Sequence, residues 1–291
     1  MKELRESINI MTSRIATILE TCSPSIYLYG SVVLGDFKLG WSDIDILVLT
    51  QDSISEKQVE QLLHLRKAML TTDPSNPYYR SFEGGMLSLN AFLTGTPDCV
   101  VYWGTSGERI ATRYNFDSFS MSQLLDSSIL LYGNDIREQL TRPTYSDLKA
   151  DVRHHYETIR QYAQNTGRSL YSYGWLLDIS RCIYTLRTGN IIAKTAAGVW
   201  ALQENLCPCP EALSKAVEIR KEPLKYLDDT HTFSYAQMLG DIIQKYADIL
   251  ELELGSKNIC KNNESSIKVW LNNVSADMEV FVEDGIESQR R

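Results

Sequence analysis

The sequence predicts an α+β domain built on a mixed sheet, followed by an all-α helical bundle. Three observations lead there. In the first half, short apolar runs of strand length are interleaved with amphipathic helical stretches. From about Tyr145, helical periodicity recurs at least four times with short links between the segments. The chain's 291 residues are enough for two domains of ordinary size. On this reading residues 1–144 form the sheet domain, 145–255 the bundle, and 256–291 a polar tail of unknown role.

Each element has its own warrant. Leu4, Ile8, Met11, Ile15 and Leu19 recur at three- and four-residue steps and predict a first helix. "CSPS" interrupts it, and "SIYLYG" and "DIDILVLT" read as strands. Ser55 and Gln58 make a capping box for "SEKQVEQLLHLRKAML", whose stripe runs through Val59, Leu62, Leu63, the stem of Arg66 and Met69. "TTDPSNP" is a loop, and "FEGGMLSLNAFL" alternates as a third strand. Between Thr94 and Tyr132 only "SMSQLLDSSILLYGND" is assigned, as a helix entering a short apolar piece. The second half gives helices over "YSDLKADVRHHYETIRQYAQN", "YGWLLDISRCIYTLRT", "TAAGVWALQENL" and "SYAQMLGDIIQKYADILELEL".

Composition narrows the function. A net charge of −8 and the absence of a dense Lys/Arg cluster disfavour nucleic acid as a partner. No apolar run approaches the roughly 20 residues of a membrane span, and "MKELRESINIMTSRI" lacks a signal peptide's apolar core. A cytoplasmic protein without a membrane partner is expected. Six scattered cysteines, with "CPC" as the one close pair, read as reduced thiols. His64, His154, His155 and His231 show no metal-ligand spacing. "GTSGE" lacks the lysine of a P-loop.

Chemistry concentrates in "YGSVVLGDFKLGWSDIDILVLT". Residues i and i+2 of a strand share a face, so Asp43 and Asp45 project side by side, with Ile44 and Ile46 on the other. Adjacent carboxylates repel unless a cation bridges them, and Mg²⁺ takes such ligands together with substrate phosphates. Gly30 and Ser31 end the preceding strand with a backbone that a phosphate can approach and a hydroxyl that can bind its oxygens. Ser42, directly before the aspartates, is grouped with them. This G-S-x(11)-D-x-D pattern resembles the signature of the nucleotidyltransferase superfamily that includes polymerase-β-like enzymes. The spacing from Asp43 to Glu83 is similar to that of bacterial aminoglycoside adenylyltransferases acting on streptomycin and spectinomycin.

The resemblance implies that Asp43, Asp45 and Glu83 hold two Mg²⁺ ions and that Glu83 is the general base. It also implies that Gly30, Ser31 and Ser42 bind the nucleotide, with ATP as co-substrate. Gly84-Gly85 stands where that family carries β-formers, so a bulged strand is expected there; Asp98 is a reserve acid. In the second half, "WLLDISRCIYTLRTGNIIAKTAAGVWALQ" is similar to the family's C-terminal stretch. It implies that Arg181 and Lys194 are further nucleotide ligands. Arg181 lies off the Leu176–Ile179–Ile183–Leu186 stripe, and Lys194 stands at a helix N-terminus that favours an anion. An Arg181–Asp178 pair at i,i+3 is the competing use of that arginine. Trp103, Tyr171 and Asp178 are candidates for substrate binding. Where the family carries acids before the arginine-bearing helix, this chain has Tyr171, Tyr173 and Trp175.

The expected activity is Mg²⁺-dependent transfer of AMP from ATP to a hydroxyl of a small molecule, with release of pyrophosphate. An aminoglycoside-type antibiotic is the first acceptor to test, which would make the chain a resistance enzyme. The alternative is a nucleotide-binding module without turnover, such as the nucleotidyltransferase-like half of a toxin–antitoxin pair. Acceptor, base preference and oligomeric state stay open at this point.

Overall fold

The structure, a computed structural model, describes residues 2–104 and 106–256. Among the described residues one compact unit runs through Val33 and again from Ser42 to Arg142; the other takes Leu34–Trp41 and residues 143–256. The loop Leu34–Trp41 therefore groups with the helices, although its sequence position is in the first half. Residues 257–291, nearly all of the expected tail, lie outside the described residues.

In the first unit, α1 (Lys2–Ile18) buries Leu4, Ile8, Met11 and Ile15. It is followed by β1 (Pro24–Tyr29), β2 (Ile44–Thr50) and α2 (Glu56–Thr72), whose Ser55–Gln58 capping box forms as expected. β3 (Phe82–Ser88) is shorter than the alternating pattern suggested. The Ser88 hydroxyl accepts the Ala91 N–H and starts a helix, α3 (Leu89–Thr94), where a strand was expected. The unassigned stretch folds as a hairpin, β4 (Val100–Gly104) and β5 (Gly107–Ala111). After it come α4 (Ser118–Ser127) and β6 (Ile129–Tyr132).

The strands make one sheet in the order β5-β4-β3-β2-β1-β6. β2 and β3 are parallel, with α2 as their connection, and every other pair is antiparallel. The β2–β3 register runs unbroken from Ile44↔Phe82 to Thr50↔Ser88, so the bulge expected at Gly84-Gly85 is absent. Glycine is needed there for a different reason. Gly84 has φ +150°, and a Cβ on it would lie 1.8 Å from the Ile46 carbonyl oxygen; one on Gly85 would strike the Tyr114 ring at 2.7 Å.

Alternation gives the sheet two faces. On one, Trp103 is fully buried and its indole N–H donates to the Leu62 carbonyl of α2 at 3.1 Å. On the other, Tyr27, Leu47, Leu49, Leu87 and Val100 pack with Leu124 of α4 and with Ile136. Arg66 of α2 contributes its guanidinium as well as its stem. It pairs with Glu108 at 2.5 Å and donates to the carbonyls of Phe82 (2.8 Å) and Gly104 (3.0 Å).

The second unit consists of α5 (Tyr145–Tyr162), α6 (Gly174–Thr188), α7 (Lys194–Gln203), α8 (Pro210–Lys221), α9 (Thr230–Ala236) and α10 (Gly240–Gly255). The expected last helix is two, α9 and α10, and α10 starts at Gly240, where a Cβ would lie 2.1 Å from the Gln164 carbonyl oxygen. Within this unit the loop is held by Asp36, which pairs with Arg220 at 3.2 Å and accepts from Thr195 Oγ1 at 2.6 Å. Among the described residues no helix is long and apolar enough to cross a membrane.

Candidate active site

The register brings Tyr29 of β1, Asp45 of β2 and Glu83 of β3 into one row across three paired strands. All three share the face that carries Leu47 and Leu87 further along. β2 begins at Ile44, so Asp43 stands just before the strand and is exposed, whereas Asp45 is half-buried. The turn out of β1 closes onto this pair: Ser31 Oγ donates to the Asp43 carbonyl at 3.2 Å. Gly30, at φ +72°, lies under the Asp45 carboxylate; a Cβ there would sit 2.0 Å from Asp45 Oδ2. Glycine at this position makes room for the carboxylate itself.

Three phenols ring the acids. Tyr102 of β4 donates to Glu83 Oε1 at 2.5 Å, and the Arg109 guanidinium lies 4.1 Å over the Tyr102 ring. Tyr114 packs 6.0 Å from Tyr102 and is hydrogen-bonded to Tyr29. Burial raises the Tyr29 phenol well above its ordinary value, with Tyr114 and the charge of Asp45 adding to it. Burial also pushes Tyr114 up to about 12; the bond with Tyr29 works against this, and the charges of Asp45 and Glu83 reinforce it. Burial and the bond to Glu83 raise Tyr102 in the same way. The phenols are thus fixed as neutral donors beside carboxylates.

In the second unit, Asp178 is the meeting point of both predicted cations. Lys194 Nζ lies 2.9 Å from its Oδ1, and Arg181 donates to the same oxygen at 3.3 Å. Burial opposes the Asp178 charge, but Lys194 and Arg181 prevail and hold its carboxyl below the usual range. The competing i,i+3 pair is therefore present, with Lys194 added to it. The N-terminus of α7, expected to take a phosphate, instead receives the Asp36 carboxylate on Thr195 N at 3.2 Å. Tyr171 is exposed and lies at 5.7 Å from the Trp41 ring.

Residues 13–72 match the family model described as "nucleotidyltransferase domain". Over that stretch the chain is similar to nucleotidyltransferase domains. That match spans α1 to α2 and includes Gly30, Ser31, Asp43 and Asp45. Among solved structures the chain is similar to spectinomycin adenyltransferase AAD(9) from Enterococcus faecialis, determined with ATP and spectinomycin. The likeness has a TM-score of 0.63 and 19% identity, and covers 85% of this chain and 99% of that one. No curated protein matches the chain. The mixed sheet followed by helices is thus the nucleotidyltransferase fold with a helical C-terminal region.

Within this matched stretch the residue types suit magnesium. Asp43 and Asp45 would supply oxygen ligands from one strand end, and Gly30 leaves the space that the Asp45 carboxylate fills. Among the described residues no three His, Cys, Asp or Glu side chains gather around one point. Mg²⁺ needs no such protein cage, since substrate phosphates and water complete its shell. Glu83, tied to Tyr102, stands beside the aspartates on the next strand.

Two candidates move out of the site. Trp103 cannot stack on a base or sugar, because it is fully buried against α2 on the opposite face. Asp98 is at the far end of β3 from Glu83, where it accepts from Ser88 Oγ at 2.5 Å and from its own strand entry, Cys99 N. Ser42 is buried beside the aspartates, and Tyr173 is buried with its hydroxyl on the Thr232 carbonyl. Sequence reasoning missed Tyr102, Arg109 and Tyr114. The available signal was the "CVVYWGTSGERIA" pattern, apolar strand, Ser-Gly turn and strand, which marks a hairpin beside β3.

Proposed function

We propose that this nucleotidyltransferase moves AMP from ATP to a hydroxyl of a small molecule and releases pyrophosphate. The observation that carries this reading is the Tyr29–Asp45–Glu83 row, with the Asp45 carboxylate seated over Gly30. In the reaction the acceptor oxygen forms a bond to the α-phosphorus of ATP. The bond from that phosphorus to the bridging oxygen breaks, pyrophosphate leaves, and the hydroxyl proton passes to Glu83. Oε1 of Glu83 accepts from Tyr102, and Oε2 is the oxygen assigned to the acceptor proton. Asp43 and Asp45 would hold magnesium, as two ions on the superfamily resemblance; when bound, it would neutralise the triphosphate charge at the α-phosphorus.

Gly30 gives the phosphates access to the backbone, and Ser31 Oγ turns from the Asp43 carbonyl to a phosphate oxygen. On the family resemblance Arg181 and Lys194, which meet at Asp178, are further nucleotide ligands. Tyr171, on the Trp41 ring, offers the acceptor an aromatic face. The thiols of Cys22, Cys99, Cys182, Cys207 and Cys209 suit a reducing, ATP-rich cytoplasm.

The test is pyrophosphate release from ATP and Mg²⁺ with spectinomycin and streptomycin as first acceptors. Release is expected with an adenylylated product, and Glu83→Gln should lower it by about a hundredfold to ten-thousandfold, the usual span for a general base. No release with any acceptor, with ATP binding intact in Glu83→Gln, would identify a binding module instead. Lys194→Ala should raise the KM for ATP on the order of tenfold, the loss of one charge-assisted contact. An unchanged ATP dependence in initial-rate assays would remove Lys194 from the nucleotide site.

A further inference from the structure

We infer that Tyr102 is a positioning residue for Glu83. The inference rests on the reading of Glu83 as general base and adds to it the residue that keeps the carboxylate in place. Glu83 and Asp45 are register partners on paired parallel strands, with side chains on one face. Like charges placed opposite one another across a sheet repel. A glutamate at the start of a strand has rotamers that carry its carboxylate away from that neighbour and out of the row. The Tyr102 hydroxyl holds it back. Its donation to Oε1 at 2.5 Å is a charge-assisted bond that fixes one oxygen and aims the other.

The phenol can do this because it is itself held on several sides. β4 pairs with β3 through Gly85↔Tyr102, which puts the tyrosine on the Glu83 face one step along. The ring lies back over its own strand, where a Cβ on Gly104 would strike Tyr102 Cε1 at 2.4 Å. Arg109, its register partner on β5, covers the ring at 4.1 Å, and Tyr114 flanks it at 6.0 Å. Beneath the sheet one guanidinium, Arg66, holds the carbonyl of Phe82, which precedes Glu83, and that of Gly104, which ends the Tyr102 strand. The backbones that carry base and donor are therefore fixed to the same group. A base held within a fraction of an ångström of its working position is what proton transfer requires, and a displacement of about 1 Å can cost roughly a hundredfold in rate.

Tyr102→Phe keeps the ring, the Arg109 contact and the packing on Gly104, and removes only the donor. Three measurements test the inference. With ATP, Mg²⁺ and spectinomycin, kcat of Tyr102→Phe should fall about ten- to a hundredfold while the KM for ATP stays within about twofold. In the Glu83→Gln background the same substitution should produce no further loss, because the tyrosine acts only through the glutamate. The crystal structure of Tyr102→Phe, which requires no acceptor, should show the Glu83 carboxylate moved out of the row with Asp45. An unmoved Glu83 in that crystal, or wild-type kcat in Tyr102→Phe beside an inactive Glu83→Gln, overturns the positioning role and leaves the base assignment standing. Wild-type turnover in Glu83→Gln itself overturns both.

Discussion

Replacing Asp45 with asparagine is expected to lower kcat by about a thousandfold or more. Metal-held charge at a phosphoryl centre contributes several kcal/mol to the transition state, and each 1.36 kcal/mol is about a factor of ten. The amide keeps the shape of the carboxylate, so its place over Gly30 is preserved. Stability should be unchanged or slightly raised. The sign follows from the register: Asp45 and Glu83 face each other as like charges, and the substitution relieves that repulsion. Initial rates at saturating ATP and Mg²⁺, with thermal unfolding alongside, decide the matter. Full turnover in this variant would end the assignment of Asp45 as a metal ligand.

The second large effect is on the fold. Arg66→Ala should destabilise the first unit by about 3 kcal/mol or more, because it leaves Glu108 without its cation and two buried carbonyls without a donor. The unfolding temperature should drop on the order of 10 °C at that cost. Arg66→Met keeps the stem in the apolar stripe and removes the head, so it should recover little of the loss. If Arg66→Met unfolds at the wild-type temperature, the stem alone is what the fold uses. Because the guanidinium also ties the start of β3 to the end of β4, a fall in kcat should accompany the fall in stability.

The residues that could be read from the chain are those whose meaning is local. Gly30-Ser31 and Asp43-x-Asp45 lie within one strand–loop–strand, so local spacing already brings them near one another, although Asp43 falls just before β2 and not in it. Glu83 was reachable because α2 makes β2 and β3 neighbours. Trp103 and Tyr102 are adjacent in sequence and opposite in fate. Alternation puts them on different faces, but only the pairing of β4 with β3 says which face is covered by α2 and which holds the acids. Gly84 and Gly85 were visible as an oddity, and their causes, a carbonyl of β2 and the ring of Tyr114, come from residues far away in sequence.

By itself the sequence determined the two-part architecture, the acidic pair at a strand start and the glycine turn that faces it, because periodicity and spacing encode these within a few turns of chain. Tertiary structure alone decided that Tyr102 grips Glu83 and that Asp36 fills the helix N-terminus expected for a phosphate. It also decided that Lys194 joins Asp178, a partner that the local i,i+3 pattern gave only to Arg181. Each of these is a pairing of charges or donors across long sequence separations. Such pairings follow from strand register and helix packing, which no local pattern specifies.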